Sequence, residues 1–362
     1  MFSSDDHRYM GLALRLAQRG LYTTDPNPRV GCVIVRDGSI VGQGWHMHAG
    51  EPHAEVHALQ EAGDQARGAT VYVTLEPCSH HGRTPPCADA LLEAGVGRVV
   101  VAMEDPNPKV AGQGNERLKA AAIDVTVGLM QPQAEALNPG FISRHRRGRP
   151  YVRCKLAMSL DGRTAMADGE SKWITSEAAR NDVQKLRARS SVIVTGINTV
   201  LADDPRLNAR VGFEVKQPDR VVLDSTLRMP RDATMLSLPG TTWIAALSDE
   251  REKRAVLEQA GARFIGTSGG DGRVNLAGLL KELHDLEYNE VLVEAGPTLS
   301  GAFVQAGLVD ELIVYMAPQL MGDGGRALLH LPGIDTMQQR INLKMTELKQ
   351  VGDDLRLTFA FA

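Results

Sequence analysis

A chain of 362 residues is longer than one hydrophobic core usually supports, about 100 to 200 residues, so two domains are expected. Hydrophobic residues make up 43% and charged residues 23%, an ordinary globular balance that excludes disordered and fibrous classes. A formal charge of -4 offers phosphate backbones no global attraction, which disfavours nucleic acid as a partner and favours small-molecule chemistry.

The opening residues MFSSDDHRYM carry neither a positive flank nor an apolar stretch, and no run is long enough to span a bilayer. A cytoplasmic protein without a membrane partner is expected. In that setting Cys32, Cys78, Cys87 and Cys154 stay reduced, so any special cysteine is a metal ligand or a nucleophile.

In chain order, apolar residues at helical spacing predict a helix from Tyr9 to about Arg19, and Val30–Val35, Asp37-Gly38 and Ile40–Trp45 predict a hairpin. A helix from about His53 to Ala66, a strand at Thr70–Leu75, a helix at Ala88–Ala94, a strand at Arg98–Met103, a helix near Glu116–Ala122 and a strand at Ile123–Val127 follow. The alternation implies a sheet covered on both faces. Residues 144–150, a cation cluster ending in Gly148-Arg149-Pro150, read as a solvated linker, which places domains at 1–147 and 148–362. Beyond it, strands at Tyr151–Ala157, Ser191–Thr195, Arg220–Asp224, Thr242–Ala246, Glu290–Glu294 and Glu311–Met316, with helical stretches between several of them, predict a second α/β domain. Two alternating runs around Gly352-Asp353-Asp354 close the chain as an antiparallel hairpin.

Chemistry concentrates first at Pro52-His53-Ala54-Glu55, where a helix begins, and at Glu76-Pro77-Cys78, after a strand. Zinc deaminases use one His and two Cys as ligands, leave a fourth position for water, and move protons through a Glu two residues after the His. His53, Cys78 and Glu55 fit that chemistry. The common signature places its second Cys three residues after the first, whereas Cys87 lies nine after Cys78. On spacing alone His80 or His81 could replace Cys87. A metalloprotease pair of His53 and His57 fails, because that motif needs Glu where Ala54 stands. A structural zinc would want four protein ligands and leave Glu55 without a task. His57 is read as a packing or outer residue, Cys32 and Cys154 as buried thiols, and His46 and His48 as either pocket lining or surface loop.

In the second domain, the buried strand Val291–Glu294, the turn Ala295-Gly296-Pro297-Thr298 and an apolar helix ending near Gly307 would offer a helix N-terminus to a pyrophosphate. There is no Gly-x-Gly-x-x-Gly, so an ordinary Rossmann domain is disfavoured.

These residues carry a resemblance. Pro26-Asn27-Pro28-Arg29-Val30-Gly31, His53-Ala54-Glu55 and Glu76-Pro77-Cys78 through Thr84-Pro85-Pro86-Cys87 resemble the deaminase half of the bifunctional riboflavin-biosynthesis deaminase/reductase family. Lys155–Gly162, Gly169–Thr175, Leu201–Pro205 and Glu294–Leu299 resemble its reductase half. The resemblance implies a cytidine-deaminase-like three-layer αβα domain followed by a dihydrofolate-reductase-like α/β domain. It implies Cys87 as the third ligand beside His53 and Cys78, one zinc per chain, and Glu55 as the proton shuttle. The implied substrates are pyrimidine ribose phosphates, deaminated at a ring amino group and then reduced with NADPH from ribosyl to ribityl. Asn27 and Arg83 become candidate contacts to the first substrate. Ala157, Trp173, Thr199, Asp203, Ser225 and the run Gly296, Pro297, Thr298, Leu299, Ser300, Gly301 and Ala302 become candidate NADP contacts. Ser171, Arg187, Leu207, Arg210 and Glu294 become candidate contacts to the second substrate, with Lys155 and Glu294 handling protons at the imine. A homo-oligomer, dimer or tetramer, is the expected assembly. The rival readings are a nucleic-acid base deaminase fused to an unrelated domain, which would need a basic groove, and a silent zinc-stabilised binding module.

Overall fold

The computed structural model describes residues 2–79 and 86–361 and divides the chain into two units, Met1–Gly148 and Arg149–Ala362. No helix among the described residues is long and apolar enough to cross a membrane.

In the first unit helix α1 (Ser4–Gln18) starts at a reciprocal cap. The Ser3 hydroxyl accepts from the Asp6 N–H, and the Asp6 carboxylate accepts from the Ser3 N–H. Strands β1 (Gly31–Arg36) and β2 (Ser39–Trp45) form the predicted hairpin, turning at Asp37-Gly38, where both residues take positive φ. Then come α2 (Ala54–Ala62), β3 (Thr70–Val73), α3 (Cys87–Ala94), β4 (Arg98–Val101), α4 (Gln113–Ala120), β5 (Asp124–Val127), α5 (Gln131–Leu137) and α6 (Pro139–Arg147). The sheet runs β2-β1-β3-β4-β5, with β1 antiparallel to both neighbours and β3, β4 and β5 parallel.

Alternation along β1 sends Gly31 and Cys32 to opposite faces. A Cβ on Gly31 would lie 2.0 Å from the Ala13 carbonyl oxygen of α1. One on Gly44, which pairs with Cys32, would lie 2.4 Å from the Ala54 carbonyl oxygen of α2. The two helices therefore cover opposite faces of the sheet, and α2 lies against bare backbone at the end that carries His53 and Glu55.

The cation cluster departs from the sequence expectation. Residues 144–147 are the last turn of α6, not a solvated linker, and Gly148 in the left-handed conformation ends that helix. Pro139 pre-sets the first turn, Arg144 is buried over the Phe141 ring, and Arg147 donates to the Ser143 hydroxyl. Charge density hid a helix whose cations fold back on their own turn.

The second unit contains β6 (Tyr151–Ser159), β7 (Arg163–Ala165), α7 (Glu177–Ala188), β8 (Val192–Gly196), α8 (Ile197–Asp203), β9 (Asp219–Leu223), β10 (Thr242–Ala245), α9 (Arg251–Gln259), β11 (Ala262–Ile265), the short pair β12 (Gly269–Gly270) and β13 (Arg273–Val274), and α10 (Leu276–Asp285). It continues with β14 (Glu290–Val293), α11 (Pro297–Gln305), β15 (Glu311–Ala317), β16 (Arg326–Ala327), β17 (Leu343–Val351) and β18 (Asp354–Phe361). Nine strands form one sheet in the order β11-β10-β9-β8-β14-β6-β15-β18-β17, parallel from β11 to β15 and antiparallel in the terminal hairpin. Cys154, Val192, Val194, Val291 and Val293 pack into one core, while Ile193, Leu292, Ile313 and Tyr315 pack into another. With both faces buried, these strands read as continuous apolar runs.

Candidate active sites

His53 caps the N-terminus of α2 in extended conformation, and Glu55 lies in the first turn, buried. Cys87 opens α3, and Cys78 lies in the segment that leaves β3. Three element ends thus converge, and the ligand atoms of His53, Cys78 and Cys87 all lie within 4.8 Å of one another. His53 Nδ1 is 3.2 Å from Cys87 Sγ and 3.6 Å from Cys78 Sγ. Tetrahedral zinc with Zn–S near 2.3 Å and Zn–N near 2.0 Å needs N–S separations of roughly 3.5 Å, so the donor set fits the ion.

The electrostatics suit a cation as well. Hydrogen bonds from the Cys87 thiol and from His53 hold the Cys78 thiol well below its usual range, and the Cys78 hydrogen bond raises His53. Burial pushes the Glu55 carboxyl up to about 7, against the opposing pull of His53. A carboxyl poised near neutrality can both take and return a proton.

His46 is buried, and its ring stands edge-on to that of His53 at 5.3 Å. Its Nδ1 lies 3.2 Å from the Pro52 carbonyl oxygen, which can only accept, so Nδ1 carries the proton. Nε2 then accepts from the Asn27 amide at 3.0 Å. Burial lowers His46 to about 4, keeping it neutral. Asn27 is thereby brought to the histidine beside the ligand set. His48 instead pairs with Glu51 on an exposed loop, at 2.9 Å. His57 packs its Cβ beside Gly44. Arg83, with the rival ligands His80 and His81, lies outside the described residues.

Two residues here carry roles that their sequence context did not disclose. The Asn138 amide both accepts from the Arg29 N–H at 2.8 Å and donates to the Arg29 carbonyl at 3.0 Å, pinning the strap that presents Asn27. Glu76 binds backbone rather than substrate: Oε1 accepts from the Gly114 and Asn115 amides, and Oε2 from those of Asp105 and Gly112, at 2.9–3.2 Å. Neither signal was legible, because the partners lie far along the chain.

In the second unit, the pairing of Val293 with Cys154 places Glu294, just past the end of β14, beside Lys155 of β6 and on the same face of the sheet. Arg187 reaches that face from α7 and donates to both Glu294 oxygens, at 2.6 and 2.9 Å. Burial alone would raise Glu294, but Arg187, with help from Lys155, holds it below its usual range. Burial lowers Lys155, opposed by Glu294. Leu207 is buried, and Arg210 donates to the Asn208 side chain at 2.7 Å while staying exposed.

The candidate dinucleotide residues gather around the carboxyl ends of the parallel strands, where open α/β sheets bind ligands. Ala157 lies on β6, Thr199 and Asp203 on α8 after β8, Ser225 just past β9, and Gly296–Ala302 after β14. Gly296 precedes Pro297 at the start of α11, and a Cβ there would meet nothing within 4 Å, so the approach is open. Within α11 the Ser300 hydroxyl turns inward to the Ala295 carbonyl at 3.2 Å, and Gly301 is flush against the His330 backbone. Thr298 is exposed, and Leu299 is half-buried. Trp173 is exposed with Arg180 over its ring at 4.6 Å, Lys172 pairs with Asp203 at 2.7 Å, and Ser171 is exposed beside them.

Family comparisons agree with this division of labour. The family model for the cytidine and deoxycytidylate deaminase zinc-binding region matches residues 3–103, and that for the RibD C-terminal domain matches residues 150–357. The riboflavin biosynthesis protein RibD of Escherichia coli is 53% identical over 97% of this chain and 98% of its own length. The solved structure of Acinetobacter baumannii RibD, form 1, has a TM-score of 0.93 at 48% identity, covering 99% of both chains. A Thermotoga maritima structure, described as a diaminohydroxyphosphoribosylaminopyrimidine deaminase/5-amino-6-(5-phosphoribosylamino)uracil reductase, has a TM-score of 0.87 at 30% identity over 99% of both chains. The chain therefore belongs to the RibD family of bifunctional deaminase/reductases of riboflavin biosynthesis, with a cytidine-deaminase-like domain followed by a dihydrofolate-reductase-like one.

Proposed function

We propose that the first unit hydrolyses the 2-amino group of a diamino-ribosylamino-pyrimidinone 5'-phosphate, and that the second reduces the ribosyl chain of the resulting 5-amino-6-(5-phosphoribosylamino)uracil to ribityl. The observation that carries the first half is the His53, Cys78 and Cys87 triangle beside the buried Glu55. Zinc held by those three residues would lower the pKa of water toward about 7 and so supply the nucleophile. Glu55 takes the proton released as water adds to the amino-bearing carbon and passes it to the ring nitrogen; it then takes the remaining hydroxyl proton and gives it to the departing amine. Water's oxygen stays on the ring as a carbonyl, and ammonia leaves. Asn27 donates to His46, which burial keeps neutral beside the ligand set, and Arg83 remains a proposed contact from sequence.

In the second unit, bound NADPH would supply a hydride for the first carbon of the imine formed when the ribose opens. Lys155 donates the proton that the imine nitrogen gains, and Glu294, locked by Arg187, opposes the burial that lowers that amine. Arg187's fork is engaged by Glu294, so Arg210 is the freer cation for the sugar phosphate, with Ser171 and Leu207 completing the contacts. The turn Gly296–Ala302, with Ala157, Trp173, Thr199, Asp203 and Ser225, is assigned to the cofactor. A cytoplasmic homo-oligomer, dimer or tetramer, completes this proposal, and the free thiols fit a reducing compartment.

Chelation separates the two halves. After removal of zinc the chain should lose ammonia release and regain it on adding zinc back, while NADPH oxidation on pre-deaminated substrate continues unchanged. Ammonia release that persists in zinc-depleted protein would overturn the metal assignment.

A further inference from the structure

Four contacts tie α4 to the segments that carry the two cysteine ligands. The Glu76 carboxylate accepts four backbone N–H groups, those of Gly112, Gly114 and Asn115 at the N-terminus of α4 and that of Asp105 in the segment before it, at 2.9–3.2 Å. Hydrogen bonds to an ionised acceptor are about twice as strong as neutral ones. Gly114 presses against the peptide that follows Glu76: a Cβ there would lie 1.9 Å from the Pro77 carbonyl oxygen, which leaves room only for hydrogen. Further along α4, Arg117 donates to the Ser79 carbonyl at 3.5 Å and pairs with Asp89 of α3 at 2.6 Å. Pro77 and Ser79 flank Cys78, and Asp89 lies two residues beyond Cys87. The cysteine segments are also laced together, since the Cys87 N–H donates to Cys78 Sγ at 3.2 Å and the Ala88 N–H to the Cys78 carbonyl at 3.1 Å. The deaminase-region match ends at residue 103, so the whole of α4 lies beyond it.

We propose that Glu76 is a positioning residue for the metal centre, clamping α4 as a buttress behind Cys78 and Cys87. The clamp needs both oxygens of one carboxylate as acceptors, because four donors converge on it. Glutamine keeps the shape but turns an NH₂ group toward two N–H groups, and that half of the clamp opens. Cys78 then loses its fixed backbone, and the ligand triangle widens.

This inference rests on His53, Cys78 and Cys87 being the zinc ligands, and the test keeps the two apart. Zinc release from the full-length protein to a chromophoric chelator is followed for wild type, Glu76→Gln, Arg117→Leu and Asp6→Asn. The last is a stability control: Asp6 is buried and accepts from Tyr72 and Arg98 at 2.8 Å on the α1 side of the unit, away from the cysteines. Partners that orient metal ligands typically contribute about 10- to 100-fold to metal affinity or activity. Glu76→Gln should release zinc faster by about that factor, Arg117→Leu by less, and Asp6→Asn at the wild-type rate despite a lower melting temperature. Excess zinc should restore most of the ammonia release of Glu76→Gln, which a generally misfolded domain would not show. NADPH oxidation by the second unit reports that the rest of each variant is intact. Wild-type zinc release from Glu76→Gln, or equal acceleration in Asp6→Asn, overturns the positioning role. If Glu76→Gln does not fold, Arg117→Leu carries the test, and an unchanged release rate there overturns the buttress. A wild-type protein that binds no zinc removes the ligand assignment and this inference together.

Discussion

Glu55→Gln should abolish ammonia release, lowering it by about 10²- to 10⁴-fold, the usual contribution of a positioned general base. The same protein should oxidise NADPH on pre-deaminated substrate at the wild-type rate. The change is nearly isosteric, so the buried space in the first turn of α2 stays filled and the His53 cap is undisturbed. What is lost is proton capacity. Burial raises the Glu55 carboxyl to about 7, where taking a proton from water and giving it to a leaving amine are both feasible. An amide can do neither at any accessible pH. The variant should keep its zinc, which separates loss of proton transfer from loss of metal. Ammonia release at more than a tenth of the wild-type rate would remove Glu55 from the mechanism.

Lys155→Met gives the reciprocal result. Ammonia release is unaffected, and reduction falls by about 10²- to 10⁴-fold with NADPH saturating. Methionine replaces the stem of the lysine with comparable volume, so the loss is of the proton donor rather than of packing. The pH dependence has a definite sign. Burial lowers the Lys155 pKa, so the amine is protonated below that value and neutral above it. Reduction should therefore fail on the alkaline side, with a midpoint below the ordinary lysine value of about 10.4. Glu294 works against that fall by favouring the charged amine. Glu294→Gln should move the alkaline limb to still lower pH, and a limb that stays in place would disconnect the pair.

Much of the deaminase site was legible because its chemistry demands particular residue types at element ends: His53 before a helix, Glu55 in that helix's first turn, and Cys78 after a strand. Spacing left Cys87 open against His80 and His81, and the resemblance to a family chose it. The structure places Cys87 with His53 and Cys78, though the other two histidines lie outside the described residues. The hairpin at Asp37-Gly38 and the terminal one at Gly352-Asp353 were readable for a local reason, that the turn residues sit between alternating runs. Long-range polar contacts were not readable. Asn138 grips Arg29 across 109 residues, and Glu76 reaches residues 29 to 39 positions away. Nothing in a local pattern encodes such partners. The Arg144–Arg147 cluster failed for the opposite reason, because its charges look like a solvated linker while Pro139 and Phe141 fold it into a helix end. Lys155 and Glu294 show an intermediate case. Lys155 lies in a strand and Glu294 just past the end of another that the apolar runs revealed, but only the register that pairs Val293 with Cys154 makes them neighbours.

The order of the two reactions tests the account most directly. With the wild-type chain, the diamino pyrimidine phosphate and NADPH, ammonia and NADPH are followed at once in the same cuvette. Ammonia should appear without delay and also when NADPH is omitted, whereas NADPH oxidation should lag until deaminated product accumulates, and the lag should vanish when that product is supplied. NADPH oxidation that starts at full rate on the diamino substrate with no ammonia released would contradict the account.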